Sequence, residues 1–87
     1  MSHLLNFYGA ECPHCKKMEP LIQALEEKEG IVIDRLEVWS DEGNMSMLEG
    51  YDKGRCGGVP FFYNTKTDAY ICGEATYEQL EVWAKDN

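Results

Sequence analysis

Two cysteines separated by two residues carry the clearest chemistry in this sequence. Cys12 and Cys15 lie in the stretch FYGAECPHCKKMEP, with only Pro13 and His14 between them. Two thiols at this spacing can exchange with a disulfide, and they can equally bind a soft metal ion such as zinc. The two chemistries need different surroundings, so the elements that position the cysteines bear on the choice.

The cysteines lie where an apolar segment changes into an amphipathic one. Residues 4–8 form a short apolar run that predicts a buried strand, and Pro13 suits the first turn of a following helix. Four apolar residues then recur at the spacing of one buried helical face: Met18, Leu21, Ile22 and Leu25. Gly30 is expected to end this helix. The pair is therefore predicted at the junction of a strand and a helix.

This position gives the two cysteines different expected roles. The first turn of a helix has unpaired backbone N–H groups and the positive end of the helix dipole, which favour an anion. We therefore expect Cys12 to form a thiolate and act as the nucleophile. Cys15, one turn further on, is close enough to attack a mixed disulfide on Cys12. A positive charge on His14 would stabilise the reduced dithiol and make the pair more oxidising.

The rest of the chain predicts an α/β domain. Residues 31–38, 59–63 and 69–72 have strand composition, and the turn-forming residues 64–68 predict a hairpin between the last two strands. Met45, Leu48 and Tyr51 predict a short helix that ends before Gly54, and Thr76 with Gln79 forms a capping box before a last helix. The order β-α-β-α-β-β-α predicts a mixed four-stranded sheet flanked by helices, in one domain of residues 1–87.

Composition argues against several classes of function. Eight basic and sixteen acidic residues give a net charge of −8, which disfavours a nucleic-acid partner. The N-terminal apolar stretch is too short for a signal peptide or a membrane span, so a cytoplasmic monomer without membrane association is expected. Four cysteines in a cytoplasmic protein are more often catalytic or metal-binding than structural.

Three segments resemble the thioredoxin and glutaredoxin superfamily. The cysteine pair, the lysine after it and a proline five residues later all match: Cys12, Cys15, Lys16 and Pro20. The segment GGVPFFY resembles the element of that family in which a cis proline lies beside the active site, here Val59–Pro60. Gly73 and Glu74 fall where that family has a second turn that contacts glutathione.

The resemblance implies a thioredoxin fold of the minimal, glutaredoxin-like kind and a dithiol–disulfide oxidoreductase activity. Cys12 and Cys15 would exchange with protein or glutathione disulfides, with His14 tuning the potential. The residues expected to contact the substrate are Pro13, Val59, Pro60, Gly73 and Glu74. No organic cofactor or metal is implied. Regeneration would require glutathione as a co-substrate, or a flavoenzyme of the thioredoxin reductase type.

Cys56 and Cys72 leave several alternatives open. The predicted hairpin places both at the same edge of the sheet, so they could be free thiols or a second disulfide. They could also complete a metal site with Cys12 and Cys15, and the competing hypothesis is accordingly a metal-binding or structural module. A third hypothesis is an iron–sulfur carrier of glutaredoxin type, although such carriers typically have a single active-site cysteine.

Overall fold

The computed structural model describes residues 2–85 and has the predicted order of helices and strands. The elements are β1 (Leu4–Tyr8), α1 (Pro13–Glu29), β2 (Asp34–Glu37), α2 (Glu42–Asp52), β3 (Phe61–Asn64), β4 (Tyr70–Cys72) and α3 (Tyr77–Lys85). The α/β class and the order β-α-β-α-β-β-α are therefore confirmed. Within these residues, no helix has both the length and the apolar composition needed to cross a membrane.

The four strands form one mixed sheet in the order β2-β1-β3-β4. Strand β1 pairs in parallel with β2, and the other two pairings are antiparallel. The register aligns Phe7 with Phe61 and Phe61 with Cys72. The segments that follow β1, precede β3 and follow β4 consequently lie at the same end of the sheet. The cysteine pair, Pro60 and Gly73 therefore lie at this end of the sheet, although they are far apart in the sequence.

The sheet separates two apolar layers, because successive side chains of a strand point to opposite faces. Leu4 and Phe62 pack on the side of α1 and α3, whereas Leu5 and Phe61 pack on the side of α2. The first layer also contains Met18, Ile22, Leu25, Ile33, Leu80, Trp83 and Ala84. The predicted buried face of α1 is therefore correct except for Leu21, which is only partly buried.

Strand β2 is shorter than the predicted strand at residues 31–38. The backbone N–H of Ile33 donates to the Glu26 carboxylate at 2.8 Å, and that of Ile31 donates to the Glu26 carbonyl at 3.2 Å. Both N–H groups are therefore bonded to Glu26 in the last turns of α1 and do not pair with a neighbouring strand. Parallel pairing with β1 begins only at Asp34, which aligns with Leu5.

Helix α2 begins at Glu42, before the first predicted helical residue Met45, and ends at Asp52, before Gly54 as expected. The side chain of Asp41 accepts a hydrogen bond from the backbone of Asn44 at 3.0 Å and caps the helix, so the expected polar loop supplies its first turn. The helix also continues through Gly50. The capping box before α3 is confirmed by reciprocal hydrogen bonds between Thr76 and Gln79, at 2.8 and 3.1 Å.

The strands of the hairpin are displaced slightly from their predicted bounds. Strand β3 begins at Phe61 instead of residue 59, since Pro60 has no backbone N–H to donate to a neighbouring strand. It also includes Asn64, which the sequence predicts in the turn. Strand β4 begins one residue late, at Tyr70.

Candidate active site

The sulfur of Cys12 lies at the start of α1. Cys12 is the N-cap residue, with extended backbone angles, and Pro13 occupies the first turn as predicted. The backbone N–H of Cys15 donates to Sγ of Cys12 at 3.1 Å. This contact uses one of the N–H groups that a helix start leaves unpaired, and a donor aimed at sulfur stabilises negative charge there. The arrangement suits Cys12 to act as a thiolate nucleophile.

Cys15 has a different environment one turn into the same helix. Both cysteines are free and buried, with exposed fractions of 4% for Cys12 and 8% for Cys15. Burial raises the pKa of the Cys15 thiol to about 12, and the hydrogen bond with the Cys12 side chain adds to this shift. Cys15 therefore holds its proton at neutral pH, which leaves Cys12 as the residue suited to the first attack.

His14 contacts a residue sixty positions away in the sequence. Its Nδ1 donates a hydrogen bond to Oε2 of Glu74, and this bond holds the pKa of the Glu74 carboxyl below its usual value. Both side chains are well exposed, at 63% and 43%, so the pair contributes little to overall stability. Its consequence is local, because it joins the residue between the cysteines to the turn after β4.

The same turn is joined to the proline segment. The Val59–Pro60 peptide bond is cis, as the resemblance implied. The backbone N–H of Gly73 donates to the carbonyl of Pro60 at 2.8 Å. Gly73 has a φ of 79°, a value that glycine adopts without strain. A continuous series of contacts thus runs from Pro60 through Gly73 and Glu74 to His14.

Cys56 and Cys72 form a disulfide, with their Cα atoms 5.5 Å apart. The buried carboxylate of Asp52 accepts hydrogen bonds from the backbone of Cys56 at 2.7 Å and of Gly57 at 2.9 Å. The segment before Pro60 is therefore attached to both α2 and β4. Of the alternatives for this cysteine pair, the free thiols are wrong and the second disulfide is correct.

The disulfide also argues against a metal site made of all four cysteines. Sulfurs joined to each other are no longer the thiolates that bind zinc, so Cys56 and Cys72 do not complete a set of four with the first pair. Across residues 2–85, no three His, Cys, Asp or Glu side chains are arranged to hold a metal ion.

Glu37 supports the loop before Cys12, a role that its position in a predicted strand did not reveal. Its carboxylate accepts hydrogen bonds from the backbone of Ala10 at 3.0 Å, Trp39 at 3.1 Å and Ser40 at 2.9 Å, and from the Ser40 hydroxyl at 2.7 Å. These bonds lower the pKa of Glu37 to about 2, with the hydroxyl as the largest cause. One side chain thus joins the segments that follow β1 and β2.

Trp39 covers the backbone of the same loop. A Cβ atom built on Gly9 would lie 2.4 Å from two atoms of the Trp39 ring, so only glycine permits this close approach. The Trp39 side chain is 53% exposed, whereas Trp83 is buried in the core. Trp39 therefore presents an aromatic surface beside the residues that lead to Cys12.

Comparison with known proteins identifies the fold. No family model and no curated protein sequence matches this chain. Among solved structures, the chain is similar to the glutaredoxin of Archaeoglobus fulgidus, with a TM-score of 0.70 and 19% sequence identity. The match covers 98% of this chain and 88% of that protein. This chain therefore has a glutaredoxin-like α/β fold, as its sequence motifs implied.

Proposed function

We propose that this protein is a dithiol–disulfide oxidoreductase that acts through Cys12 and Cys15. The observation that carries the proposal is the backbone N–H of Cys15 donating to Sγ of Cys12 at a helix start. It stabilises the thiolate on the first cysteine, while burial keeps the second one protonated. Thioredoxin-like chemistry needs this division between an attacking and a resolving thiol.

The reaction has two exchange steps. The Cys12 thiolate attacks one sulfur of a substrate disulfide, forms a mixed disulfide and releases the other substrate sulfur as a thiolate. Cys15 then loses its proton and attacks Sγ of Cys12, which forms the Cys12–Cys15 disulfide and releases the second substrate thiolate. Two electrons pass from the protein to the substrate. Glutathione, or a flavoenzyme of the thioredoxin reductase type, would return them.

The substrate is proposed to bind across the end of the sheet that holds Pro13, Val59 and Pro60. The hydrogen bond between Gly73 and Pro60 supports this assignment, because it joins the two segments that would hold the substrate chain. Glu74 would supply a carboxylate at the same place. Protein disulfides are the proposed substrates, with glutathione as a co-substrate.

A redox titration tests this function. The purified protein is equilibrated at a series of glutathione redox potentials, its free thiols are alkylated, and the modified cysteines are located by mass spectrometry. We expect Cys12 and Cys15 to change together in one two-electron step. A Cys15→Ser variant should instead accumulate a mixed disulfide on Cys12, whereas Cys12→Ser should form none.

The same titration distinguishes the metal hypothesis. If Cys12 and Cys15 resist alkylation until a chelator is added, the pair binds a metal ion and the proposed function is wrong. If the alkylated fractions of Cys12 and Cys15 do not change together as the potential changes, the two cysteines do not form a redox pair.

A further inference from the structure

A cavity of about 230 Å³ opens beside the buried Cys15. Its walls include Asn6 of β1, Cys15 and Glu19 of α1, and Arg35 of β2. The register of the parallel strands explains part of this grouping, because Asn6 is aligned with Arg35. The volume accommodates several water molecules, each of which occupies about 30 Å³ in the liquid. The cavity therefore brings a thiol, a carboxylate and an amide around space that suits water.

Asn6 has a polar group that the protein does not satisfy. The residue is only 3% exposed, and its Nδ2 has no hydrogen-bond partner. Buried amide donors are nearly always paired, either with protein or with an ordered water molecule. Because Asn6 forms part of the cavity wall, a water molecule in the cavity is the partner that fits.

Two observations place the Glu19 side chain at the cavity beside Cys15. It follows Cys15 by four positions in α1, so the two side chains lie on the same face of the helix. Its carboxylate also accepts hydrogen bonds from Arg35, through Nε at 3.2 Å and Nη2 at 2.9 Å. Nη1 of Arg35 donates to Glu26 at 2.7 Å, which holds the guanidinium in place. Arg35 therefore fixes the position of the Glu19 carboxylate at the cavity.

We propose that water in this cavity carries the proton of the Cys15 thiol to the Glu19 carboxylate when Cys15 attacks the mixed disulfide on Cys12. In this step the Cys12–Cys15 bond forms, the bond between Cys12 and the substrate sulfur breaks, and the substrate leaves as a thiolate. Asn6 donates a hydrogen bond to the water and holds it between the two groups. The inference rests on the proposed function and adds its proton acceptor.

The need for an acceptor follows from the burial of Cys15. Burial raises the pKa of the Cys15 thiol, so the thiol holds its proton at neutral pH. The other groups that can carry charge around the cavity are Lys16, Arg35 and the Tyr8 phenol. Among the residues that line the cavity, Glu19 is the one with a carboxylate.

The test separates the two exchange steps. The reduced protein is mixed with dithionitrobenzoate, an aromatic disulfide whose released thiolate absorbs visible light. The first release reports attack by Cys12, and the second reports the attack of Cys15 on the mixed disulfide. Both rates are measured from about pH 5 to about pH 10. The variant is Glu19→Gln, and the matched control is Glu27→Gln, which removes an exposed carboxylate of the same helix that does not line the cavity.

We expect Glu19→Gln to slow the second release by about a hundredfold near pH 7, with the deficit narrowing as the pH rises and hydroxide replaces the carboxylate. The first release should be unchanged, which also shows that the variant is folded. Glu27→Gln should behave as the unmodified protein. Equal second-phase rates for Glu19→Gln and the unmodified protein would overturn the inference, and so would an equal slowing of both variants. Absence of the first release in the unmodified protein would instead refute the proposed function.

Discussion

The disulfide between Cys56 and Cys72 should provide a large part of the stability of this small domain. The cleanest perturbation is reduction of this bond in a protein that carries Cys12→Ser and Cys15→Ser. That background leaves one disulfide, so the oxidised and reduced forms have the same sequence and differ in a single bond. Differences in side-chain packing caused by a substitution are thereby avoided.

The expected magnitude follows from the sequence separation of 16 between the two cysteines. Closing a loop of this length removes conformational entropy from the unfolded chain, worth about 3 kcal/mol of unfolding free energy at 25 °C. The native contacts of the loop should survive reduction, because Asp52 still accepts hydrogen bonds from Cys56 and Gly57. An unfolding entropy of about 0.2 kcal/mol per kelvin for a domain of this size gives a loss of about 15 °C in melting temperature.

Urea unfolding measures this effect directly. The buried Trp83 provides the fluorescence signal. The protein with Cys12→Ser and Cys15→Ser is unfolded in urea without reductant, which keeps the disulfide, and with reductant, which breaks it. We expect the reduced form to unfold at a midpoint lower by about 1 to 3 M urea. A variant with serine at all four cysteine positions should not respond to the reductant. A difference below about 1 kcal/mol would refute the loop-entropy argument, because the predicted term is three times larger.

Three further changes test the surroundings of the cysteine pair. Glu37 has a pKa of about 2 in the folded protein against 4.5 for the unperturbed group, so its stabilising effect is present above about pH 4.5 and is lost as the pH falls toward 2. Glu37→Gln should therefore flatten the decline in unfolding free energy over this pH range, and an unchanged profile would contradict the role of its hydrogen bonds. Gly9→Ala should cost about 1 to 3 kcal/mol because the new methyl group collides with the Trp39 ring. Denaturant unfolding in a Trp39→Ala background should show that this cost disappears, and persistence of the cost would assign it to the backbone. His14→Gly should lower the reduction potential of the cysteine pair by about 30 mV in the glutathione titration, since a charged imidazole between the cysteines would stabilise the thiolate. An unaltered potential would mean that His14 has no tuning role.

Local signals in the sequence predicted the order of the elements and the position of the cysteine pair at the start of α1. The capping box at Thr76 and Gln79 and the proline at the start of α1 are interactions among residues close together in the chain. Such interactions depend little on the rest of the fold, so they can be recognised without it. The placement of Cys12 at a helix start follows from the same kind of information.

Residue composition did not predict where β2 begins, because it does not show which acceptor a backbone N–H group bonds to. Ile31 and Ile33 have strand propensity, but their N–H groups bond to Glu26 at the end of α1. A carboxylate that reaches back from a helix can satisfy a backbone donor as well as a neighbouring strand can. Propensity alone therefore predicted a longer strand than the one that forms.

Contacts between distant segments were the least predictable part of the site. The pairing of His14 with Glu74 spans sixty positions, and the grouping of Asn6 with Glu19 and Arg35 requires the packing of α1 on the sheet. Neither Glu19 nor Arg35 is a site residue that the sequence predicts. The signals that could have drawn attention to them are the four-residue spacing from Cys15 to Glu19 and the presence of asparagine within an apolar strand.

The two active-site cysteines owe their difference to the fold and not to their spacing. Sγ of Cys12 accepts a backbone N–H because the helix begins at that residue. Cys15 is buried one turn inside the helix, and this burial raises its pKa to about 12. Two identical thiols three positions apart thus have different surroundings, one at a helix start and one buried with a raised pKa. A buried resolving thiol can act only if its proton has somewhere to go, and the cavity that joins Cys15 to Glu19 offers that route.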